Sequence, residues 1–249
     1  MHSYKKKRLD NFLVECGLAA TRAQAADLIR RGCVNVGGMV AAKPGTLVAS
    51  DAVVEVVPGA APYVSRGGLK LQAALDAFGL EPEGRVALDL GASTGGFTDV
   101  LLARGAARVY AVDVGHSQLH EKLRADPRVV SLEGTDARSL DASLIETPVG
   151  AIVADVSFIS LTQVLPPALK LAAPGTWLIA LIKPQFEAGR EAVGRGGVVR
   201  DEAAREAAVQ RVRDFVAGLP GWSVLGVMPS PIEGGSGNRE FLLAARLEA

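Results

Sequence analysis

Residues 86–96 read VALDLGASTGG, an apolar run that ends in small residues and glycines. A helix-like stretch, residues 97–104, follows without a break, which gives the order strand, tight turn, helix. This order opens the doubly wound α/β sheets, whose ligands bind beyond the carboxyl ends of the strands. Glycine suits the turn because its backbone adopts positive φ and lets a ligand approach closely. The segment therefore predicts a Rossmann-like sheet with a ligand site at this turn.

The spacing of the turn favours one class of cofactor. Gly91-x-Ser93-x-Gly95-Gly96 differs from the G-x-G-x-x-G pattern of dinucleotide sites. A second apolar run stops at Asp113, whose carboxylate could accept hydrogen bonds from both hydroxyls of a ribose. S-adenosylmethionine has a ribose but no phosphate, so we expect this cofactor rather than a dinucleotide or an ordinary turn without a ligand. The predicted contacts are Asp89, Gly91, Ala92, Ser93, Gly95, Gly96, Phe97, Asp113, Val114, Asp136, Ala137 and Asp155.

Three apolar runs after Asp113 extend the predicted sheet. The first precedes Asp136, a short polar residue suited to the amino group of adenine. The next two, residues 150–154 and 176–182, end at Asp155 and Lys183. Because parallel strands present their carboxyl ends at one edge, we expect this acid and this lysine at the same rim.

The C-terminal part predicts an amphipathic helix and two further strands. The helix runs from a cap at Asp201 to about residue 216, and the strands cover residues 222–228 and 240–245. They resemble the antiparallel end strand that closes many methyltransferase sheets. Glu240 then begins the last strand, where the chain returns to the active rim.

Residues 5–57 read as a separate small unit of two short helices and short strands. Basic residues gather there, although Lys+Arg and Asp+Glu balance at 27 each over the 249-residue chain. The pattern resembles the S-four type RNA-binding module, with Gly37-Gly38 where that family usually has Asn-Gly. A solvated basic surface is the alternative interpretation. The predicted RNA contacts are Lys6, Lys7, Arg8, Arg22, Arg30, Arg31 and Arg66.

The expected organisation is an RNA-binding α+β domain at residues 1–58, a linker at 59–64 and a catalytic α/β domain at 65–249. Two cysteines fit a reducing compartment rather than a disulfide framework. No apolar stretch has the ~20 residues that span a bilayer, and the N-terminus lacks the apolar core of a signal peptide. A cytoplasmic protein without membrane contact is expected. No metal is implied, because His2, His116 and His120 do not form a ligand set.

Four charged residues share one expected rim, namely Lys70, Asp155, Lys183 and Glu240. In this order they resemble the Lys-Asp-Lys-Glu tetrad of FtsJ-type RNA ribose 2′-O-methyltransferases. With the strings SRGGLKL, DLGASTGGFT, ADVSFIS, KPQFE and GNREF, the chain resembles the TlyA family over residues 5–247. That family comprises rRNA cytidine 2′-O-methyltransferases, which also carry the name haemolysin. The resemblance implies ribosomal RNA of the small or large subunit, or both, as the partner.

A ribose hydroxyl is a weak acid, so its proton must leave as the methyl group arrives. Lys183 is either the base or, if charged, the group that stabilises the alkoxide. Rival chemistries fit less well: 5-methylcytosine formation needs a rim cysteine, but both cysteines precede residue 34. An amine methylase usually has an Asn/Asp-Pro-Pro-aromatic motif where this chain has DVSF, and a pseudouridine synthase needs another fold. A haemolysin-like membrane protein and a non-catalytic rRNA-binding protein remain the alternative functions.

Overall fold

The computed structural model describes residues 6–19, 21–30, 32–41, 43–57, 63–194, 196–234 and 237–248, without the side chains of Ala23, Gln24, Arg30 and Arg190. The chain divides into two compact units, Met1–Gly67 and Gly68–Ala249. The first unit contains strand β1 (Lys7–Arg8), helices α1 (Leu9–Glu15) and α2 (Arg22–Arg30), and strands β2 (Val34–Val36), β3 (Met39–Val40), β4 (Leu47–Val48) and β5 (Val54–Val56).

The first unit buries one apolar cluster between its helices and strands. Leu9 and Leu13 of α1, Ile29 of α2 and Val34 of β2 are fully buried in it. Strand β2 lies between β3 and β5 in an antiparallel sheet, and β1 pairs with β4. The sequence did not predict the β1–β4 pair, because two residues per strand are too few to show a period. The β2–β3 turn has positive φ at both Gly37 and Gly38, the conformation that a tight two-residue hairpin turn requires.

The second unit is built on a seven-stranded sheet in the order β11-β12-β10-β9-β6-β7-β8. Its strands are β6 (Val86–Leu90), β7 (Arg108–Asp113), β8 (Val129–Glu133), β9 (Val149–Ala154), β10 (Ala172–Ile182), β11 (Trp222–Pro229) and β12 (Phe241–Leu247). Strands β6 to β10 are parallel, and β12 runs antiparallel to both β10 and β11. This arrangement confirms the predicted Rossmann-like methyltransferase sheet with an antiparallel end, accompanied by a small N-terminal α+β unit.

The helices of the second part of the chain are α3 (Gly67–Phe78), α4 (Gly96–Ala103), α5 (Glu121–Arg124), α6 (Leu161–Leu169), α7 (Pro184–Glu187) and α8 (Glu202–Ala217). Asp201 caps α8 as predicted, because its side chain accepts a hydrogen bond from the Ala203 amide. Helices α5 and α7 were not predicted, since four residues make about one turn and show no periodicity. Strand order reverses between β6 and β9, the crevice where such sheets bind ligands.

The register of the sheet brings three predicted residues to one edge. Ile182, the last residue of β10, pairs with Phe241, the first residue of β12. Lys183 directly follows β10 and Glu240 directly precedes β12, so the two residues lie side by side just beyond the paired strands. Asp155 follows the last residue of β9, the parallel neighbour of β10, so it reaches the same edge.

Candidate active site

The turn after β6 is held tightly against two neighbouring strands. The amides of Gly91 and Ala92 both donate to the carbonyl of Val112 on β7. Gly91 has φ +80°, and a Cβ there would lie 2.6 Å from the carbonyl oxygen of Asp155. A side chain at position 91 would therefore push the turn away from the end of β9, so glycine is required by both backbone conformation and space.

Asp113, at the end of β7, orders the same turn. Its Oδ2 accepts a hydrogen bond of 2.8 Å from the Ser93 amide, and its Oδ1 accepts one of 2.7 Å from the Gly115 amide. Ser93 has φ +48°, an uncommon conformation for a residue other than glycine. A carboxylate has about four lone-pair positions, so Asp113 keeps capacity for two hydroxyl groups.

A cavity of about 410 Å³ opens beside this turn, and we call it the turn cavity. Six of the predicted cofactor contacts line it, namely Gly91, Ser93, Asp113, Val114, Asp136 and Ala137. Its other lining residues are Val112, Gln118, Thr135, Arg138, Val156, Ser157, Phe158, Ile159 and Val164. The lining combines the carboxylates of Asp113 and Asp136 with apolar side chains, which suits the ribose and the adenine of a nucleoside. The residues present therefore fit S-adenosylmethionine.

Asp136 has a strong partner inside the turn cavity. Its carboxylate forms an ion pair with Arg138 at 2.6 Å and also accepts the Arg138 amide at 2.9 Å. These hydrogen bonds lower the pKa of Asp136. Asp136 therefore presents an acceptor that is ionised at neutral pH.

Six other predicted cofactor contacts do not line this cavity. They are Asp89, Ala92, Gly95, Gly96, Phe97 and Asp155, and their cofactor role stays a prediction. Asp89 is fully buried, and its Oδ2 accepts a hydrogen bond of 2.6 Å from the Thr98 hydroxyl. Burial raises the pKa of Asp89 to about 7, with the nearby carboxylates of Asp155 and Asp113 adding to the effect. Gly95 is the N-cap residue directly before α4; it has φ +95°, and it leaves no room for a Cβ beside Leu123.

Two of the four tetrad candidates form a buried ion pair. Lys70 on α3 donates from Nζ to Oε2 of Glu240 at 2.5 Å, and both side chains are more than nine-tenths buried. These residues are 170 positions apart in sequence. The pair thus ties α3 to the start of β12.

The other two candidates form a second pair at the edge of the sheet. Nζ of Lys183 lies 2.6 Å from Oδ1 of Asp155 in an ion-pair contact and donates a hydrogen bond of 2.9 Å to Oγ of Ser157. The Lys183 side chain is 12% exposed, so it is nearly buried yet still reaches the surface of the site. Both contacts fix Nζ at the point where β9 and β10 end.

Sequence reasoning did not identify two residues that hold Glu240 and its loop. Gly234 is buried, and a Cβ on it would collide with Oε1 of Glu240. Asn238 is 1% exposed; its Oδ1 accepts from the Val199 amide at 3.0 Å, and its Nδ2 donates to the Gly197 carbonyl at 2.8 Å. A single sequence offers no local signal for either role, since glycine and asparagine are ordinary loop residues.

Glu187 is a further buried carboxyl that was not assigned a role. Its Oε1 accepts from the Leu161 amide at 2.8 Å, and its Oε2 accepts from the Ser160 hydroxyl at 2.6 Å. Burial raises the pKa of Glu187. The side chain thus caps the N-terminus of α6 from the segment that follows Lys183.

A second cavity of about 450 Å³ lies beyond Lys183, and we call it the aromatic cavity. It is lined by Phe158, Gln185, Phe186, Gly189 and Val193. Phe158 also lines the turn cavity, is 91% exposed and has φ +66°. Its ring lies 5.0 Å from that of Phe186, centroid to centroid. An exposed aromatic side chain on a strained backbone is typical of a functional position, and the sequence alone gave no sign of it.

The basic residues of the first unit are partly engaged with acids. Asp10 is buried and pairs with Arg8 at 2.8 Å and Arg22 at 3.2 Å, and chiefly the hydrogen bond from Arg8 lowers its pKa to about 2. Lys7 contacts Glu15, and Lys6 is exposed. Arg66 is half-buried, whereas Arg31 and the side chain of Arg30 lie outside the described residues.

The described part of the chain contains neither a metal-ligand cluster nor a membrane-spanning helix. Within residues 6–248, apart from the gaps given above, no group of three or more His, Cys, Asp or Glu residues could hold a metal ion. No helix in the same part is both long and apolar enough to cross a membrane.

Comparison with known proteins gives consistent matches over most of the chain. The model of the FtsJ-like methyltransferase family matches residues 63–247, and that of the S4 domain matches residues 7–54. The 16S/23S rRNA (cytidine-2′-O)-methyltransferase TlyA of Mycobacterium tuberculosis is 48% identical over 245 residues, which cover 98% of this chain and 91% of that protein.

Two solved structures show the same fold. A Streptococcus thermophilus protein named a hemolysin is 42% identical, with a TM-score of 0.76 over 99% of this chain and 90% of that one. An O-methyltransferase from Bacillus cereus, solved in complex with SAH, is 21% identical, with a TM-score of 0.50 over 77% of this chain and 82% of that one. The second likeness shows the fold alone.

Proposed function

The chain belongs to the FtsJ-like methyltransferase family, as a relative of the TlyA rRNA methyltransferases, and we propose that it methylates the ribose 2′-hydroxyl of cytidine in ribosomal RNA. S-adenosylmethionine is the proposed methyl donor, held in the turn cavity by Asp113 at its ribose and by Asp136 at its adenine. Residues 1–58 form the proposed RNA-binding domain, 59–64 the linker and 65–249 the catalytic domain. A cytoplasmic enzyme that acts on the small subunit, the large subunit or both fits this substrate.

The observation that carries the proposal is the position of Lys183. Its Nζ is fixed by Asp155 and Ser157 at the strand end that adjoins the turn cavity. The proposal puts the 2′-hydroxyl at this nitrogen, beside the cavity that would hold the methyl donor. Glu240 directly precedes the neighbouring strand β12, and Lys70 of α3 is paired with it, which completes the proposed site of two lysines and two carboxylates.

The residues act on the hydroxyl rather than on the donor. The cofactor supplies an electrophilic methyl group on a sulfonium. Lys183 holds the 2′-oxygen in line and takes its proton or stabilises its developing charge, while Asp155 orients Nζ. Alignment supplies much of the rate, because the methyl group is already reactive.

Methyl transfer to ribosomal subunits isolated from cells that lack the enzyme tests the proposal. The wild type is incubated with labelled S-adenosylmethionine beside Lys183→Ala and a matched control, Lys170→Ala, which removes an exposed lysine at the end of α6. We expect 2′-O-methylcytidine from the wild type and the control, and a loss of about a hundredfold or more with Lys183→Ala. Label on a base, or equal transfer by Lys183→Ala, would contradict the proposal.

A further inference from the structure

Gln185 has a buried side-chain oxygen without a partner among the described residues, and it lies beside a cavity. It is the second residue after Lys183, at the second position of α7, and it lines the aromatic cavity. Its Oε1 is buried and accepts no hydrogen bond from any residue that the structure describes. A buried carbonyl oxygen without a donor costs free energy, and native structures rarely keep one without a reason.

The lining of the aromatic cavity indicates what kind of ligand would supply the hydrogen-bond donor that Oε1 lacks. The rings of Phe158 and Phe186 stand 5.0 Å apart at an interplanar angle of 50°, and Val193 and Gly189 complete an apolar lining. Phe158 holds φ +66°, a conformation that costs free energy unless the surroundings or a ligand require it. A flat, largely apolar ligand with N–H groups on its edge satisfies both the rings and Oε1. A nucleobase has this description.

We propose that the side-chain amide of Gln185 hydrogen-bonds the Watson–Crick edge of the target base while Lys183 holds the 2′-hydroxyl of the same nucleotide. This inference rests on the proposed function. The base is attached to the ribose carbon next to the one that carries the 2′-hydroxyl, so its pocket must adjoin Lys183. Gln185 follows Lys183 by two residues and meets that condition. Such contact requires the base to be out of its stack.

With Oε1 facing the position of the base's exocyclic group, the amide also favours cytosine over uracil. It presents an acceptor, Oε1, beside a donor, Nε2. Cytosine offers the complementary pair, a donor at its N4 amine beside an acceptor at N3. Uracil offers an acceptor at position 4 and a donor at N3, which is the reverse order. Oε1 is sealed from the cavity in this structure, so the N4 amine reaches it when the side-chain amide turns toward the cavity on binding; the oxygen then gains the donor that it lacks.

The test measures base preference rather than activity alone. The probes are ribosomal subunits that carry either cytidine or uridine at the nucleotide that the wild type methylates. Initial rates of methyl transfer are compared for the wild type, Gln185→Leu and Gln210→Leu. Gln210 is a matched control, because it lies exposed on α8 and bonds only Asp214 among the described contacts. Affinity for S-adenosylhomocysteine is measured for each variant as a check on folding and on the turn cavity.

We expect Gln185→Leu to lower kcat/KM for cytidine by about ten- to a hundredfold, because a buried hydrogen-bond pair is lost. The uridine rate falls less, so the cytidine-to-uridine ratio drops by about tenfold or more, while affinity for S-adenosylhomocysteine is unchanged. Gln210→Leu leaves rate and ratio as they are. Gln185→Glu, which keeps an acceptor for the N4 amine but has no donor for N3, retains part of the preference.

An unchanged cytidine-to-uridine ratio in Gln185→Leu overturns the role of Gln185 and leaves the proposed function intact. Equal losses on both nucleotides also overturn it, since a structural defect would lower both. A wild type that methylates no ribose on either substrate overturns the proposed function and this inference together.

Discussion

Asp89 is a carboxyl group placed entirely inside the sheet. Its Oδ2 accepts a hydrogen bond from the Thr98 hydroxyl, and its Oδ1 has no hydrogen-bond partner among the described residues. Burial favours the neutral acid, which raises its pKa to about 7 from an ordinary value of 3.8. Asp89 lies on β6, one residue before the end of the strand. The stability of the whole sheet therefore depends on whether its carboxyl group is protonated.

Asp89→Asn is therefore expected to change the pH dependence of stability. A raised carboxyl pKa stabilises the folded state fully below the unfolded pKa and loses that contribution as pH rises through the folded pKa. The free energy of unfolding of the wild type relative to Asp89→Asn should fall by up to about 4 kcal/mol between about pH 4 and about pH 7, then level off. Urea unfolding of both proteins across this range measures it. A difference that does not vary with pH would contradict the buried, neutral acid.

Gly91→Ala is expected to destabilise the protein more than a matched glycine substitution. At Gly91 the new Cβ meets the Asp155 carbonyl at 2.6 Å, and φ is +80°. Gly79 is the control, because it has φ +61° but open space around it. Backbone strain alone should cost about 1 kcal/mol at Gly79, and strain plus displacement of the turn about 3 kcal/mol at Gly91. Thermal unfolding compares the two, and equal losses would show that the contact with Asp155 does not matter.

Gly234→Ala is expected to impair methyl transfer and also to lower stability, because it separates a buried ion pair. The added Cβ collides with the end of the Glu240 side chain, which can rotate away but then leaves Lys70. We expect kcat to fall about tenfold or more, approaching the effect of Glu240→Gln, with unchanged affinity for S-adenosylhomocysteine. Single-turnover transfer and calorimetric binding measure the two quantities. A fall in cofactor affinity of the same size would place the damage elsewhere.

At the scale of elements, the residue that follows each strand predicts the candidate site better than the length of the strand does. The sequence predicted Asp155 and Lys183 at one edge because apolar runs that end in charge reveal parallel strands, and the structure has both residues there. It did not predict that Lys70 would pair with Glu240, because that contact joins a helix and a strand 170 residues apart. Phe158 and Gly234 were missed for a related reason: their roles depend on what packs against them.

Glu187 connects two elements, and its removal should loosen helix α6. The carboxylate accepts from the Leu161 amide and the Ser160 hydroxyl at the start of that helix. Glu187→Ala leaves a buried amide without an acceptor and should cost about 1–3 kcal/mol. Glu187→Gln keeps one acceptor oxygen and should cost less. Urea unfolding ranks the two variants, and the reverse order would contradict a capping role.

At the scale of the molecule, the fold class and its two-part plan could be predicted, since both depend on patterns that repeat along the chain. The methyltransferase sheet and the small α+β unit are confirmed by the strand order and by the family matches. Whole-chain charge, in contrast, indicated nothing, because 27 basic and 27 acidic residues cancel. The distribution of charge within each unit, rather than the net charge, bears on the proposed binding of RNA.

Arg22→Gln is expected to weaken RNA binding through charge alone, if the first unit binds phosphates as proposed. Arg22 is 62% exposed beside Asp10, which keeps Arg8 as its other partner. Loss of one phosphate contact should reduce the slope of log affinity against log salt by about one. Filter binding of ribosomal RNA over a salt series measures the slope. Cofactor affinity serves as the control and should not change.

Phe158 lines both the turn cavity and the aromatic cavity. One side chain therefore bears on the proposed specificity for the methyl donor and on the proposed specificity for the acceptor base. A smaller side chain there would reshape both cavities, so the proposed donor compartment, which is the turn cavity, and the proposed acceptor compartment, which is the aromatic cavity, cannot be resized independently at this position. Selection for a different methyl donor would alter the acceptor compartment as well, and the reverse holds too. The specificity for the methyl donor and the specificity for the acceptor are therefore expected to evolve together, because a substitution at position 158 changes both.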